Sequence, residues 1–158
     1  MSGHGLRLIA ALGALTFASA CRSAGHLPVS REFVPTADAF GEPAEVAAVL
    51  AESGAPPWTV LVGGADQLDT LLAARGAHPT ATVIIDLSVV APLQRDAVRA
   101  RALEAALEGD GALLLDESGE NARALRGTSR DVSLVSLDAR HNITAVVAPA
   151  GAAAGEGR

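Results

Sequence analysis

Residues 58–62 read WTVLV, residues 80–87 read TATVIIDL and residues 112–116 read ALLLD. Each is a short, mostly apolar run rich in β-branched residues or leucine. A strand with one face in water alternates polar and apolar residues, so near-continuous runs predict strands buried on both faces. The stretches between them have helical spacing. After Gly63-Gly64, Asp66 can cap a helix whose apolar face is Leu68, Leu71 and Leu72, closed by Gly76. Pro92 opens the longest helix, to Glu108, with Leu93, Val98, Leu103, Ala106 and Leu107 on one side. Ser118 or Gly119 opens a short helix through Leu125, and Gly127 ends it. Strands alternating with helices pair in parallel through right-handed crossovers.

The flanks complete the pattern. Pro43–Ser53 is predicted as a helix, with Glu45 in its first turn and Val46, Val49 and Leu50 on one face before Gly54. Residues 132–137 (VSLVSL) and 143–147 (ITAVV) are β-rich and five residues apart, which predicts a closing hairpin with Asn142 in the left-handed backbone position. The expected fold is α/β, a central mixed sheet of about four to five strands with flanking helices and a C-terminal β-hairpin. Residues 21–40 read as a tether, residues 41–148 as the domain, and residues 149–158, rich in Ala and Gly, as a disordered tail.

This order, with LLLDESG at 113–119, SLVSLD at 133–138 and Asn142-Ile143, resembles the thioredoxin-like superfamily, in particular its redoxin and peroxiredoxin-type members. The resemblance implies a redox cysteine just after the first core strand. The corresponding stretch, Gly63-Gly-Ala-Asp-Gln-Leu-Asp-Thr70, holds none, and Ser129-Arg130-Asp131 stands where these proteins place a cis-proline. A thiolate is the nucleophile in disulfide exchange and peroxide reduction, and neither serine nor aspartate replaces it. The expectation is a domain without redox catalysis. A flavodoxin-like sheet is the competing topology.

The sole cysteine, Cys21, lies elsewhere. It follows Arg7, an uncharged stretch from Leu8 to Ala20, and small residues at Ala18 and Ala20. A charged head, a short apolar segment and small residues at the cut make an export signal, here residues 1–20 with cleavage between Ala20 and Cys21. The cysteine makes it resemble a bacterial lipoprotein signal, although Ala18 stands where leucine is most usual. That resemblance implies lipidation of Cys21 and a stable membrane anchor bearing palmitate-type acyl chains. Plain secretion with a free cysteine and an uncleaved anchor are the alternatives, and thirteen uncharged residues are short of the ~20 a span needs. The expected location is the cell envelope, on the outer membrane facing the periplasm in a diderm.

Composition narrows the rest. Half of the residues are apolar and the net charge is −6, which suits a folded body and disfavours nucleic acid as a partner. All twelve basic residues are arginine, so a P-loop or a receiver-type phosphoacceptor site lacks its lysine. The four histidines show no metal-ligand spacing, and Ser88, Ser118 and Ser129 lack a G-x-S-x-G context. Arg95, Arg99 and Arg101 interleave with Asp96, Glu104 and Glu108 as a solvated helix face. Trp58 reads as packing at the start of its strand, and His141 as a solvated turn residue. Asp66, Asp86 and Asp116 fall at the C-terminal ends of predicted parallel strands, where open α/β sheets place their sites. They cap loops in the plainer reading; in the sharper one they bind a cation or a small ligand. No cofactor is expected. The leading expectation is a lipid-anchored binding or structural module for another envelope protein, and the alternative is a ligand- or metal-binding protein or enzyme using those aspartates.

Overall fold

A computed structural model describes residues 31–150. The signal, its cleavage site and Cys21 lie outside the described residues, as does the tail from residue 151. In chain order the elements are β1 (Thr36–Asp38), β2 (Pro43–Ala44), α1 (Val46–Ser53), β3 (Trp58–Gly64), α2 (Leu68–Ala77), β4 (Thr82–Asp86), α3 (Pro92–Glu108), β5 (Leu113–Asp116), α4 (Glu120–Arg126), β6 (Ser133–Leu137) and β7 (Ile143–Val147). Single 3₁₀ turns, Ala65–Gln67 and Leu87–Val89, follow β3 and β4.

The seven strands form one mixed sheet in the order β2-β1-β5-β4-β3-β6-β7. The three apolar runs are its centre: β3, β4 and β5 are parallel neighbours, and the β6–β7 hairpin adds antiparallel beside β3. The fold is thioredoxin-like, with helices on both faces and a closing hairpin. An antiparallel β6 next to β3 is also what separates it from a doubly wound parallel sheet.

Why these runs lack alternation is visible in the packing. Leu61, Val83, Ile85 and Leu115 join the core under α2 and α3, while Val60, Val62, Ile84 and Leu114 join the core under α1 and α4. Successive residues of a strand point to opposite faces, so two covered faces demand apolar residues throughout.

Several expectations change. The sheet has seven strands rather than four to five, because residues assigned to the tether and to the first helix pair as β1 and β2. β1 lies antiparallel on β5 and covers what is otherwise an open edge. Asn121 fastens the segment before it, accepting from the Val34 amide at 2.9 Å and donating to the Val34 carbonyl at 3.0 Å. Residues 31–40 are thus built into the domain. The first helix begins at Val46, since Pro43 and Ala44 belong to the β1–β2 hairpin. β3 continues past the WTVLV run through Gly63 and Gly64.

Helix α3 has the expected bounds, but its buried stripe is Val98, Ala102 and Ala105. Leu93 is 94% exposed and Leu107 is also exposed. Small residues let this helix lie close on the sheet, and side-chain size misdirects the reading. On the outer face Arg99 pairs with Asp96 and Glu117, and Arg101 with Glu104 at 2.6 Å. These hydrogen bonds, that of Glu117 foremost for Arg99 and that of Glu104 for Arg101, raise both arginines above their ordinary value.

In the β6–β7 turn, His141 rather than Asn142 holds the left-handed conformation, with φ 60°. The Asp138 carboxylate accepts the amides of Arg140 at 2.8 Å and Asn142 at 2.9 Å. The Asp138 amide in turn donates to the Asn142 carbonyl. That clamp places the reversal one residue earlier than composition suggests.

Candidate functional site

The C-terminal ends of β3, β4 and β5 meet in register: Gly64 lies beside Asp86, and Asp86 beside Asp116. The structure therefore brings two of the three sequence-predicted aspartates together. Asp66 is separate, exposed on the 3₁₀ turn two residues past the end of β3. It makes no capping hydrogen bond to α2.

Asp86 and Asp116 are almost fully buried, at 2% and 1% exposure. Burying a carboxylate is costly unless its oxygens are matched by donors. Both are matched from within the chain. Asp86 Oδ1 accepts from the Ser88 amide at 2.9 Å and the Ser88 hydroxyl at 2.6 Å, and Oδ2 accepts from Arg126 Nη2 at 2.9 Å. Asp116 Oδ1 accepts from the Gly119 amide at 3.0 Å and the Ser118 hydroxyl at 3.1 Å, and Oδ2 from the Ala122 amide at 2.9 Å. Asp116 thereby closes the loop from β5 into α4, and Asp86 closes the loop from β4 toward α3.

Gly119 joins the two. Its φ of 70° is left-handed, and a Cβ there would overlap the Ser88 hydroxyl and come within 2.6 Å of Asp86 Oδ1. Only glycine lets the β5–α4 loop approach the Asp86 side chain this closely.

Sequence reading missed Arg126 as the partner of Asp86. The pair spans forty residues, and its side chains are only 5% and 3% exposed. No local spacing announces it, because the contact depends on how α4 lies over the strand ends. The Ser88 hydroxyl, which has no nucleophile motif around it, serves Asp86 instead. Among the described residues no group of three or more His, Cys, Asp or Glu could hold a metal ion.

The stretch that would carry a redox cysteine is a tight corner. Gly64 ends β3, Ala65 is buried, and Asp66 folds back so closely that a Cβ on Gly64 would overlap its carboxylate. Ser129-Arg130-Asp131, the stretch expected to correspond to a cis-proline, is exposed ahead of β6.

A second cluster lies at the other end of β3. The His141 ring packs between Trp58, centroids 5.2 Å apart and tilted by 32°, and Phe33, 5.5 Å apart and tilted by 58°. Half-buried between aromatic rings, His141 is not the solvated turn residue expected. Trp58 packs where anticipated and donates its indole N–H to the Gly54 carbonyl at 2.8 Å.

No protein-family model matches the chain, and no curated protein does. Solved structures do. A secreted Mycobacterium tuberculosis disulfide oxidoreductase homologous to E. coli DsbE aligns with 13% identity and a TM-score of 0.42, over 72% of this chain and 81% of that one. A thio-disulfide isomerase from Thermus thermophilus aligns with 12% identity and a TM-score of 0.45, over 73% and 81%. StoA from Bacillus subtilis aligns with 11% identity and a TM-score of 0.43, over 73% and 87%.

Proposed function

We propose that this chain is an exported lipoprotein, anchored through Cys21, whose thioredoxin-like domain is a binding or structural module of the cell envelope without thiol chemistry. One observation carries the reading. The chain has a single cysteine, directly after its expected leader, while the corner at the end of β3 offers glycine, alanine, aspartate and glutamine. Exchange between a dithiol and a disulfide needs two sulfurs within reach, and peroxide reduction needs a thiolate in the fold. With the sulfur consumed by acylation, the domain keeps its scaffold and can contribute only surface. Among the described residues no helix is long and apolar enough to cross a membrane.

The alternative uses Asp66, Asp86 and Asp116 as ligands. The hydrogen bonds of Asp86 and Asp116 favour the structural role, because every carboxylate oxygen of the pair already accepts from the chain. Exchanging these donors for a cation would uncover Arg126 and several amides.

Intact mass of the protein extracted from membranes tests the proposal. The expected mass is that of residues 21–158 plus acyl groups on Cys21; an unmodified, freely soluble mature chain refutes the anchor. Insulin-reduction and peroxide assays are expected to show no turnover above background, and genuine turnover refutes the inactive domain. A melting-temperature rise with divalent cations that disappears in the Asp66→Asn/Asp86→Asn/Asp116→Asn variant would favour the alternative.

A further inference from the structure

At the opposite end of the sheet, where β4 and β5 begin, two clefts of about 340 and 350 Å³ adjoin. Both are lined by Val49, Glu52, Asp110 and Ala112, so they form one continuous groove beside the end of α1. Asp38 and the exposed ring of Phe40 line its far part. No basic side chain lines either cleft. Arg75 stands behind the same loop, on the α2–α3 side, with its guanidinium given to the carbonyls of Ala105 and Gly111. The C-terminal end of α1, which has no basic residue in its last turn, adds the negative end of the helix dipole.

A second observation points inward. Thr82 lines the first cleft, is 1% exposed, and its hydroxyl has no hydrogen-bond partner. It stands two residues before Ile84, on the same α1-facing side of β4. A buried hydroxyl left unmatched is costly and is a natural acceptor for an incoming N–H.

We propose that this groove binds an aliphatic diamine or polyamine. One primary ammonium sits between Glu52, Asp110 and the Thr82 hydroxyl, where charge-assisted hydrogen bonds are strongest. The methylene chain lies along Val49 and Ala112. The second ammonium reaches Asp38 and the face of Phe40. The carboxylates select a cation, the Thr82 hydroxyl selects one that carries N–H, and the placing of Asp38 in the second cleft apart from Thr82 in the first selects two charges over one. This site is independent of the strand-end aspartates and of the lipid anchor.

Calorimetric titration of the purified full-length protein with spermidine tests it. The expected result is one saturable site, weakened roughly tenfold by Glu52→Gln and by Asp110→Asn. Thr82→Val is expected to weaken binding several-fold while keeping or raising the melting temperature of the free protein. Glu120→Gln makes the same charge change at the other end of the sheet and leaves affinity unchanged. Hexamethonium, a double cation without N–H, is expected to bind at least tenfold more weakly than spermidine. No saturable binding overturns the proposal. So does equal weakening by Glu120→Gln, the mark of diffuse attraction to an acidic surface, or full affinity in Thr82→Val.

Discussion

Replacing Arg126 by methionine should unfold this domain far below its normal melting temperature. Methionine keeps most of the stem's packing volume and removes the guanidinium, leaving Asp86 Oδ2 without a donor in a site where the side chain is 3% exposed. Breaking a buried ion pair by deleting one partner costs about 3–5 kcal/mol, because the remaining charge is neither solvated nor matched. Domains of this size are stable by roughly 5–15 kcal/mol, so the substitution removes about a fifth or more of the total. The melting temperature should then fall by roughly 10–25 °C. The lost Arg126 bond to the Arg130 carbonyl is exposed and adds little. The double variant Asp86→Asn/Arg126→Met separates charge from packing. An asparagine carbonyl can still accept from Ser88, while the unmatched charge is gone, so the double variant should recover at least half of the loss. Urea unfolding followed by circular dichroism measures both. A cost below about 1 kcal/mol for Arg126→Met, or a double variant no better than the single, refutes Arg126 as the counter-ion of Asp86.

Three further outcomes are expected. The amide of Asn142 first, then that of Arg140, holds the Asp138 carboxyl below its ordinary value. A depressed carboxyl contributes stability above its unfolded-state pKa and loses it as pH falls through the folded value. The stability gap between wild type and Asp138→Asn should therefore be complete near neutrality and close in strong acid; a gap independent of pH contradicts the clamp. Leu93→Ser should change stability by less than about 0.5 kcal/mol and Leu50→Ala should cost about 2–5 kcal/mol, since the first side chain is 94% exposed and the second fully buried. Comparable losses in the two would mean that α3 buries a different face. The sole tryptophan, Trp58, packs against the His141 ring, so His141→Ala should expose the indole and red-shift its emission; an unchanged emission spectrum in the variant rejects the stack.

The parts of this fold legible in the sequence are those with a local cause. WTVLV, TATVIIDL and ALLLD announce the central strands because burial on both faces imposes its pattern within a few residues. Pro92 fixes the start of α3 and Gly127 the end of α4, because the φ of proline and the φ of 64° at Gly127 are local demands. What escaped has a nonlocal cause. Thr36–Asp38 is three residues of ordinary composition, and only the open edge of β5 makes it a strand. Leu93 looks like core until the sheet beneath α3 selects Val98, Ala102 and Ala105. His141 is the exception, a local case that composition misjudges, because the Asp138 carboxylate gathers the amides of its own loop. The strand-end aspartates were visible, but their meaning was not: Arg126 reaches Asp86 only once α4 has docked.

The two ends of the parallel strands thus differ in a way that bears on what the fold can do. In an open α/β sheet the C-terminal ends are the usual place for a ligand, because loops diverge there and leave a crevice. Here that crevice is filled from within. Ser88 and Arg126 supply both oxygens of Asp86, Ser118, Gly119 and Ala122 supply both of Asp116, and the absent Cβ of Gly119 leaves just room for the Ser88 hydroxyl. A carboxylate whose oxygens are all matched has no affinity left for a cation unless that cation also compensates the displaced donors. At the N-terminal ends the balance is reversed: Glu52 and Asp110 are exposed, no basic side chain lines the groove, and the Thr82 hydroxyl is buried without a partner. Carboxylates left without donors, rather than the customary position in the fold, decide where a cation gains free energy by binding.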